Sequence, residues 1–325
     1  MWKSLLRRFI IFIPQIIGLS ILIFILAEFM PGDALTGVFV EDPTMTEEII
    51  QEHRDRLGLD DPWYQRYSRW VIGLVQGDFG YSILHRRPVI DIVGERMGNT
   101  LMLSLVSTIM IYLFSIPFGI IAGRYKGQFA ERAISFYNFI QIAVPMVVVA
   151  IALQWLFAIQ WQILPLRGSV NVLVLSEEYG WWAQFMSRIE HTLLPAAAGS
   201  ILAGVGIVQF LGNEINEQKQ LDYVTLAKCK GVPMGKIYTS HIFRNSLLPI
   251  AAGFGSIIVG LFGGAIIIEN LFTYQGMGQL FATSIGQQDW PVANFLIIFY
   301  ATLSLIGFFL SDIALTIFDP RIRIK

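Results

Sequence analysis

Long apolar stretches, separated by shorter polar ones, dominate the pattern along this chain. Six of them are long enough to cross a membrane as helices, because about 20 residues rising ~1.5 Å each span a hydrocarbon core about 30 Å thick. They lie at residues 9–30, 100–122, 134–159, 193–213, 246–268 and 294–317. The pattern therefore predicts an all-α membrane protein with six transmembrane helices, and an even number of helices places both termini on the same side.

The composition agrees with this prediction. Apolar residues make up 54% of the 325 and charged residues 14%, which is typical of integral membrane proteins. The net charge of −1 gives no sign of a nucleic-acid partner, and the single cysteine, Cys229, excludes an intrachain disulfide. The first apolar run follows basic residues as in a signal peptide. It is long enough to span, however, and no small-residue cleavage pattern follows it, which predicts an uncleaved membrane helix.

Lys and Arg residues predict which side of the membrane each loop faces. The segments 1–8, 123–133, 214–245 and 318–325 hold most of the 23 basic residues, whereas residues 269–293 hold none. Both termini and the 214–245 loop are therefore expected in the cytoplasm, with membrane lipid around the apolar helices.

This orientation divides the chain into four parts. They are a cytoplasmic tail with the first helix (1–30), an external segment (31–99), a five-helix core (100–317) with the cytoplasmic loop 214–245, and a cytoplasmic tail (318–325).

The external segment has helical patterns of its own. Thr44 and Glu47 match a capping box, and four large side chains recur at helical spacing at Trp63, Tyr67, Trp70 and Leu74. Such a stripe favours a helix that packs on the outer ends of the membrane helices or lies in the interface. A docking surface for an external partner is the alternative.

No chemistry for catalysis or ATP binding is evident. Gly231 to Ile237 is one residue short of a Walker A motif and ends in a residue that cannot bind magnesium. The four histidines are scattered, which predicts no metal site. The sequence therefore favours a protein that is not an enzyme and binds no cofactor itself.

Acidic residues are also scarce where an ion-coupled carrier would need them. Glu28, Glu214 and Glu269 lie at the ends of predicted spans, and only Asp312 lies further inside one. Pumps and proton-coupled carriers, in contrast, keep ionisable groups deep in the bundle. The spans offer uncharged polar residues instead, which suits a polar passage without ion coupling. The energy for transport is then expected to come from another protein. The uncharged polar residues are Gln141, Gln154, Gln209 and Ser256.

The fifth predicted span carries a stripe of small residues at every fourth position. Such a stripe allows close helix packing, and lining or gating a passage or meeting a sister subunit is the alternative. Its members are Ala252, Ser256, Gly260 and Gly264.

The 214–245 loop is the longest polar stretch in the second half of the chain. A helix is expected from about Glu214 to Lys230, stopped by Gly231 and Pro233, with a second helix over 235–248. A solvated loop has no need of apolar residues beside this turn, so their presence favours one surface on which a partner is seated. These residues are Leu221, Val224, Leu226 and Ala227.

The chain around Gly231 reads "LDYVTLAKCKGVPMGKIYTSHIFRNSLLPI". This stretch resembles the cytoplasmic loop of ABC-importer permeases of the oligopeptide/dipeptide/nickel type. Thr225 and Leu226 stand where the family's Glu-Ala-Ala signature has its glutamate and first alanine. Shorter stretches such as "MPGDA", "GDFGYSI", "IENLFTYQGMGQL" and "QQDWP" also resemble this branch, in order along the chain. The loop residues that carry the resemblance, or flank it in the ATPase-coupling surface that it implies, are Asp222, Tyr223, Val224, Leu226, Ala227, Lys230, Gly231, Val232, His241, Asn245 and Pro249.

The resemblance implies the first permease subunit of a type I ABC importer in the bacterial cytoplasmic membrane. Its expected partners are a second homologous permease, two cytoplasmic ATPase subunits that bind ATP and Mg²⁺, and an external substrate-binding protein. The expected cargo is a peptide, with nickel or an oligosaccharide as alternatives. Outside this class, an ion-coupled secondary transporter or a membrane enzyme fits less well, for lack of deep carboxylates or a clustered catalytic set.

Overall fold

The computed structural model describes residues 2–29, 61–82, 84–175, 179–247, 254–263 and 265–318. Most of these residues are helical, as the apolar pattern predicted. The helices are α1 (Trp2–Phe29), α2 (Trp63–Gln76), α3 (Val89–Arg124), α4 (Phe129–Ala143), α5 (Met146–Leu153, continued by a π-helical turn Gln154–Gln160), α6 (Trp181–Ala203), α7 (Val205–Gln218), α8 (Asp222–Cys229), α9 (Met234–Lys236), α10 (Phe243–Ser246), α11 (Phe254–Gly263), α12 (Ile266–Leu271), α13 (Met277–Gly286) and α14 (Trp290–Phe318).

Two small elements complete the described chain. Strands β1 (Tyr81–Ser82) and β2 (Arg87–Pro88) pair antiparallel, with Tyr81 opposite Pro88. A short 3₁₀ helix covers Val172–Leu175 in the connection between α5 and α6.

Where they are described, the apolar runs are helical except at residues 144–145, 204, 247 and 265, and the helix lengths differ from the expectation. Within the described residues, two helices are long and apolar enough to cross a membrane alone, Val89–Arg124 and Trp290–Ser311. Two bent pairs, α4 with α5 and α6 with α7, would bring the number to four if each pair forms one span. Ile10–Ile25, within α1, is a shorter apolar helical stretch. The membrane class is confirmed, whereas the number six stays a prediction.

Prolines within the apolar runs have two different outcomes. Pro117 lies inside the unbroken α3. Pro145 separates α4 from α5, and their axes differ by 97°. Val144, just before this proline, has an extended conformation with φ −92° and ψ 123°, because a proline ring disfavours helical geometry in the residue that precedes it. The run at 134–159, expected as one span, is therefore sharply bent.

Helices α3 and α7 pack closely against each other. A Cβ added at Gly119 would lie 2.9 Å from Cβ of Leu211, and one at Gly123 would lie 2.7 Å from both the Gly212 carbonyl oxygen and Cβ of Ile215. Two glycines four residues apart remove the side chains that would hold the backbones apart, as in close helix pairs within membranes. This contact fixes the position of α7, from which the 214–245 loop extends.

Helix α2 packs against α1. Tyr67 shares a 2.8 Å hydrogen bond with Ser20 of α1, and its ring lies 5.5 Å from that of Phe24, which also contacts Trp70. The aromatic stripe predicted as helical is therefore a helix, and part of it packs on α1. The predicted capping box at Thr44 and Glu47 lies outside the described residues.

Candidate functional site

The coupling loop, residues 214–245, begins as a direct extension of α7. The single helix expected from Glu214 to Lys230 is interrupted, because α7 ends at Gln218 and α8 begins at Asp222. Leu221 between them is extended, with φ −77° and ψ 149°. Asp222 in the first turn of α8 favours a helix start here, since a negative charge interacts well with the free N–H groups. The expected helix is therefore two helices joined by a short break.

Lys219, in this break, ties the coupling loop to the end of α3. Its Nζ donates hydrogen bonds to the carbonyl oxygens of Gly123 at 2.9 Å and Arg124 at 3.2 Å. These carbonyls belong to the last turn of α3, where no intrahelical N–H is available to them. Burial lowers the pKa of the Lys219 ammonium, and the nearby charges of Lys228 and Lys126 lower it further.

Gly231 closes α8 with a Schellman motif. The N–H of Val232 donates to the Ala227 carbonyl at 3.1 Å, and the N–H of Gly231 donates to the Lys228 carbonyl at 2.9 Å. Gly231 has a positive φ of 73°, a conformation that glycine adopts without the steric penalty of other residues. The stop predicted at Gly231 is confirmed, and its geometry explains why glycine stands there.

After Pro233 the chain turns back as a second helical arm. It consists of α9, a π-helical segment Ile237–Ile242, and α10. The i to i+5 bonding of a π-helix brings residues five apart onto nearly one face, and both Ile237 and Ile242 are fully buried. The second predicted helix is therefore found, up to Leu247, where the described residues stop.

The two arms of the loop share an apolar core with helix α7. Val224 of α8 packs with Ile237 and Ile242 of the second arm and with Leu211 and Ile215 of α7. The guanidinium of Arg124 also lies 5.0 Å from the ring centre of Tyr238. The loop is a folded helical hairpin held against the ends of α3 and α7.

A second group of apolar side chains in the same loop faces outward. Leu226 is 56% exposed, Met234 47% and Leu221 42%. The sequence grouped Leu221, Val224, Leu226 and Ala227 as one surface for a partner. The structure divides them, because Val224 is buried in the hairpin's own core and Ala227 is half-buried against it.

The remaining candidate residues fall into three groups. Asp222, Lys230 and His241 are exposed, whereas Tyr223, Val232 and Asn245 are half-buried. The Tyr223 hydroxyl donates to Oε1 of Gln218 at 2.7 Å. Pro249, Ala252 and Gly264 lie outside the described residues, as does the side chain of Ser256. Gly260 is exposed on α11.

A buried polar cluster surrounds Glu269, which the sequence placed at a span end without assigning it a role. The carboxylate of Glu269 accepts hydrogen bonds from Thr100 Oγ1 at 3.2 Å and from the Gln279 N–H at 2.8 Å. Tyr274 donates to the Asn99 carbonyl at 3.1 Å, and burial raises the pKa of its phenol to about 12. Glu269 and Tyr274 both lie in the stretch "IENLFTYQGMGQL", which stood out in the sequence only for its resemblance to ABC-importer permeases. The α3 residues that they contact are about 170 residues away in sequence.

A further contact joins two of the short motif stretches. Ser82, in "GDFGYSI", donates a hydrogen bond of 2.5 Å to the buried carboxylate of Asp289, in "QQDWP". The ring of Phe79 in the same stretch lies 4.9 Å from that of Phe295 on α14. The structure therefore brings together motif stretches that lie far apart in the sequence.

Comparison with known proteins gives a consistent result. Residues 115–324 match the family described as binding-protein-dependent transport system inner membrane component. The oligopeptide transport system permease protein AppB of Bacillus subtilis (strain 168) is 32% identical over 331 residues, covering 98% of each chain. The di/tripeptide transport system permease protein DppB of Pseudomonas aeruginosa (strain UCBPP-PA14) is 28% identical, covering 99% of each. The glutathione transport system permease protein GsiC of Escherichia coli (strain K12) is 27% identical over the full length of both chains.

Motifs, membrane helices and full-length relatives agree, and this chain belongs to the binding-protein-dependent transport system inner membrane components, the permeases of ABC importers.

Proposed function

We propose that this chain is the permease subunit of an ABC importer that moves peptides into the cell by alternating access. A second homologous permease completes the passage, and an external substrate-binding protein delivers the peptide. Two cytoplasmic ATPase subunits bind ATP and Mg²⁺ and supply the energy. Both termini and the coupling loop face the cytoplasm of a bacterial cell.

The observation that carries this proposal is the two-sided character of the coupling loop. One side is a closed apolar core that includes Val224 and Ile237, so the hairpin is a defined structure. The other side exposes Leu221, Leu226 and Met234, and exposed apolar side chains on a water-facing element favour a protein partner. A cleft in an ATPase subunit is a partner of this kind.

The anchoring of the hairpin supports transmission of force to the membrane helices. Lys219 bonds to the last carbonyls of α3, and Val224 packs on Ile215 of α7. Movement of the ATPases would therefore be passed to α3 and α7 as a movement of packed helices, the way rigid elements switch between two arrangements. This is the link between ATP hydrolysis and opening of the passage.

The relatives support peptides as the cargo. Their names specify oligopeptides, di- and tripeptides, and glutathione, and these relatives match this chain along almost its whole length.

Uptake by intact cells tests this proposal. We expect cells with the complete transport system to accumulate labelled peptides of graded length, and deletion of this gene alone to abolish that uptake. Restoring the gene on a plasmid is the control. Peptide uptake that survives the deletion, or uptake only of nickel or an oligosaccharide, would contradict the assignment of peptides.

A further inference from the structure

Two adjoining cavities lie between helices α3, α4, α6 and α7. The larger has a volume of about 450 Å³ and the smaller about 230 Å³. Ile134 of α4 and Val208 of α7 line both of them. The two cavities therefore follow one another along the same face of α4.

The linings of the two cavities differ in polarity. The larger is mostly apolar, with Phe114, Phe118 and Ile201 in its wall, and none of its lining residues is charged. The smaller includes the amides of Gln209 and Asn213 together with Lys126 and Glu131. A mainly apolar chamber with a few polar groups is typical of a site for a small organic solute.

Each cavity is lined by one amide side chain of α4 with an unsatisfied oxygen. Gln141 lines the larger and Asn138 the smaller. They are 7% and 5% exposed, yet no described residue donates a hydrogen bond to Oε1 of Gln141 or Oδ1 of Asn138. Buried acceptors are nearly always paired in folded proteins, so a pair of unpaired ones on one helix favours a solute that brings donors.

The other end of Gln141 is already held. Its Nε2 donates to the carbonyl oxygen of Ile201, which also accepts a 3.1 Å hydrogen bond from the Tyr137 hydroxyl. Ile201 lies in the last turn of α6, where carbonyl groups lack intrahelical partners. The amide is thus held by its nitrogen, and its oxygen remains available as an acceptor.

The chemistry and spacing of these acceptors fit a peptide backbone. Asn138 and Gln141 are three residues apart on one helix, so their Cβ atoms lie roughly 5–6 Å apart. N–H groups on one edge of an extended peptide recur about every 6.6 Å. Nickel, the alternative cargo, would instead favour imidazole ligands, and no histidine lines either cavity.

We propose that Asn138 and Gln141 form an acceptor site for peptide N–H groups in the transport passage. The inference rests on the proposed function, and it names the residues of this chain that distinguish a peptide from other solutes. The site becomes accessible as α4 separates from α6 and α7 during the cycle, and peptide N–H groups then replace the missing donors. The apolar wall of the larger cavity contacts the peptide side chains.

The test compares labelled trialanine with analogues that are N-methylated at one peptide bond, in cells that carry the complete system. Methylation removes the N–H donor and keeps the rest of the backbone. The quantity measured is the ratio of uptake rates of unmethylated to methylated peptide. The binding protein is the same for every permease variant, so its own discrimination cancels when these ratios are compared.

The variant Gln141→Leu removes the acceptor oxygen and keeps a side chain of similar size. We expect its uptake ratio to fall roughly tenfold below that of the wild type for one analogue, the factor expected for one hydrogen bond. Gln154→Leu is the matched control. The sequence grouped Gln154 with the polar residues of a passage, but the structure places it in neither cavity, and its amide donates to the carbonyls of Leu166 and Leu271. Its ratio should equal that of the wild type. Asn138→Leu makes the same prediction as Gln141→Leu, so a folding defect in either variant leaves the other as the test.

Three results would overturn the inference. One is an unchanged ratio in both Gln141→Leu and Asn138→Leu. Another is an equal fall in the Gln154→Leu control. The third is a wild-type system that imports no peptide, which would contradict the proposed function itself and is recognised before any variant is measured.

Discussion

Replacing Gly231 with valine is expected to abolish transport while leaving the protein in the membrane. Gly231 has a φ of 73°, and an L-residue in this left-handed region costs about 1–2 kcal/mol, more for a β-branched one. The Schellman bonds from Val232 to Ala227 and from Gly231 to Lys228 would be lost with it. The turn would reopen and displace the exposed Leu226. Peptide uptake and the amount of protein in isolated membranes measure the two effects separately.

Two variants separate backbone geometry from side-chain size. Gly235→Val is the matched control, because a Cβ at Gly235 meets no atom within 4 Å and its φ is not positive, so uptake should continue. Gly231→Asn should retain much of the uptake, since asparagine tolerates the left-handed conformation. Normal uptake by Gly231→Val would refute the role of this turn, and equal loss in Gly235→Val would show that bulk, not conformation, is responsible.

Replacing Gly123 with alanine should destabilise the contact between α3 and α7. The added Cβ would lie 2.7 Å from the Gly212 carbonyl oxygen and from Cβ of Ile215, far inside van der Waals contact. Overpacking of this kind costs typically ~1–3 kcal/mol. The carbonyl oxygen of Gly123 itself accepts a hydrogen bond from Lys219, so the coupling loop would shift as well. The melting temperature of the detergent-purified protein should fall by several degrees, and its amount in the membrane should decrease.

Gly98→Ala on the same helix is the control for this prediction. A Cβ at Gly98 would meet no atom within 4 Å, and alanine stabilises a helix relative to glycine. Its melting temperature should therefore equal or exceed that of the wild type. A Gly123→Ala protein that melts no lower than Gly98→Ala would contradict the close approach of α3 and α7.

The features of the fold that depend on local sequence were predictable. Apolar runs gave the membrane helices, because burial in lipid requires a continuous apolar surface. Gly231 and Pro233 predicted the end of α8 and the start of the second arm, because the backbone preferences of glycine and proline act within two or three residues. The aromatic stripe around Tyr67 gave α2 for the same reason.

Features that depend on tertiary contacts were not predictable from one sequence. The break before Asp222 accompanies the bonds of Lys219 to carbonyls of α3, some 95 residues earlier. The burial of Val224 and the exposure of Leu226 follow from where the second arm packs. Glu269 looked like an ordinary acidic residue at a span end, whereas its burial and its hydrogen bonds with Thr100 and the Gln279 N–H require the folded chain.

The single cysteine provides the most direct test of the claim that an ATPase subunit grips the coupling loop from the cytoplasm. Cys229 lies on α8 and is exposed, so a membrane-impermeant maleimide can label it without mutation. Inverted membrane vesicles that lack the ATPase subunits should be labelled rapidly, vesicles that contain them roughly tenfold more slowly, and intact cells not at all. Labelling from outside the cell, or an unchanged rate in the presence of the ATPases, would contradict the account.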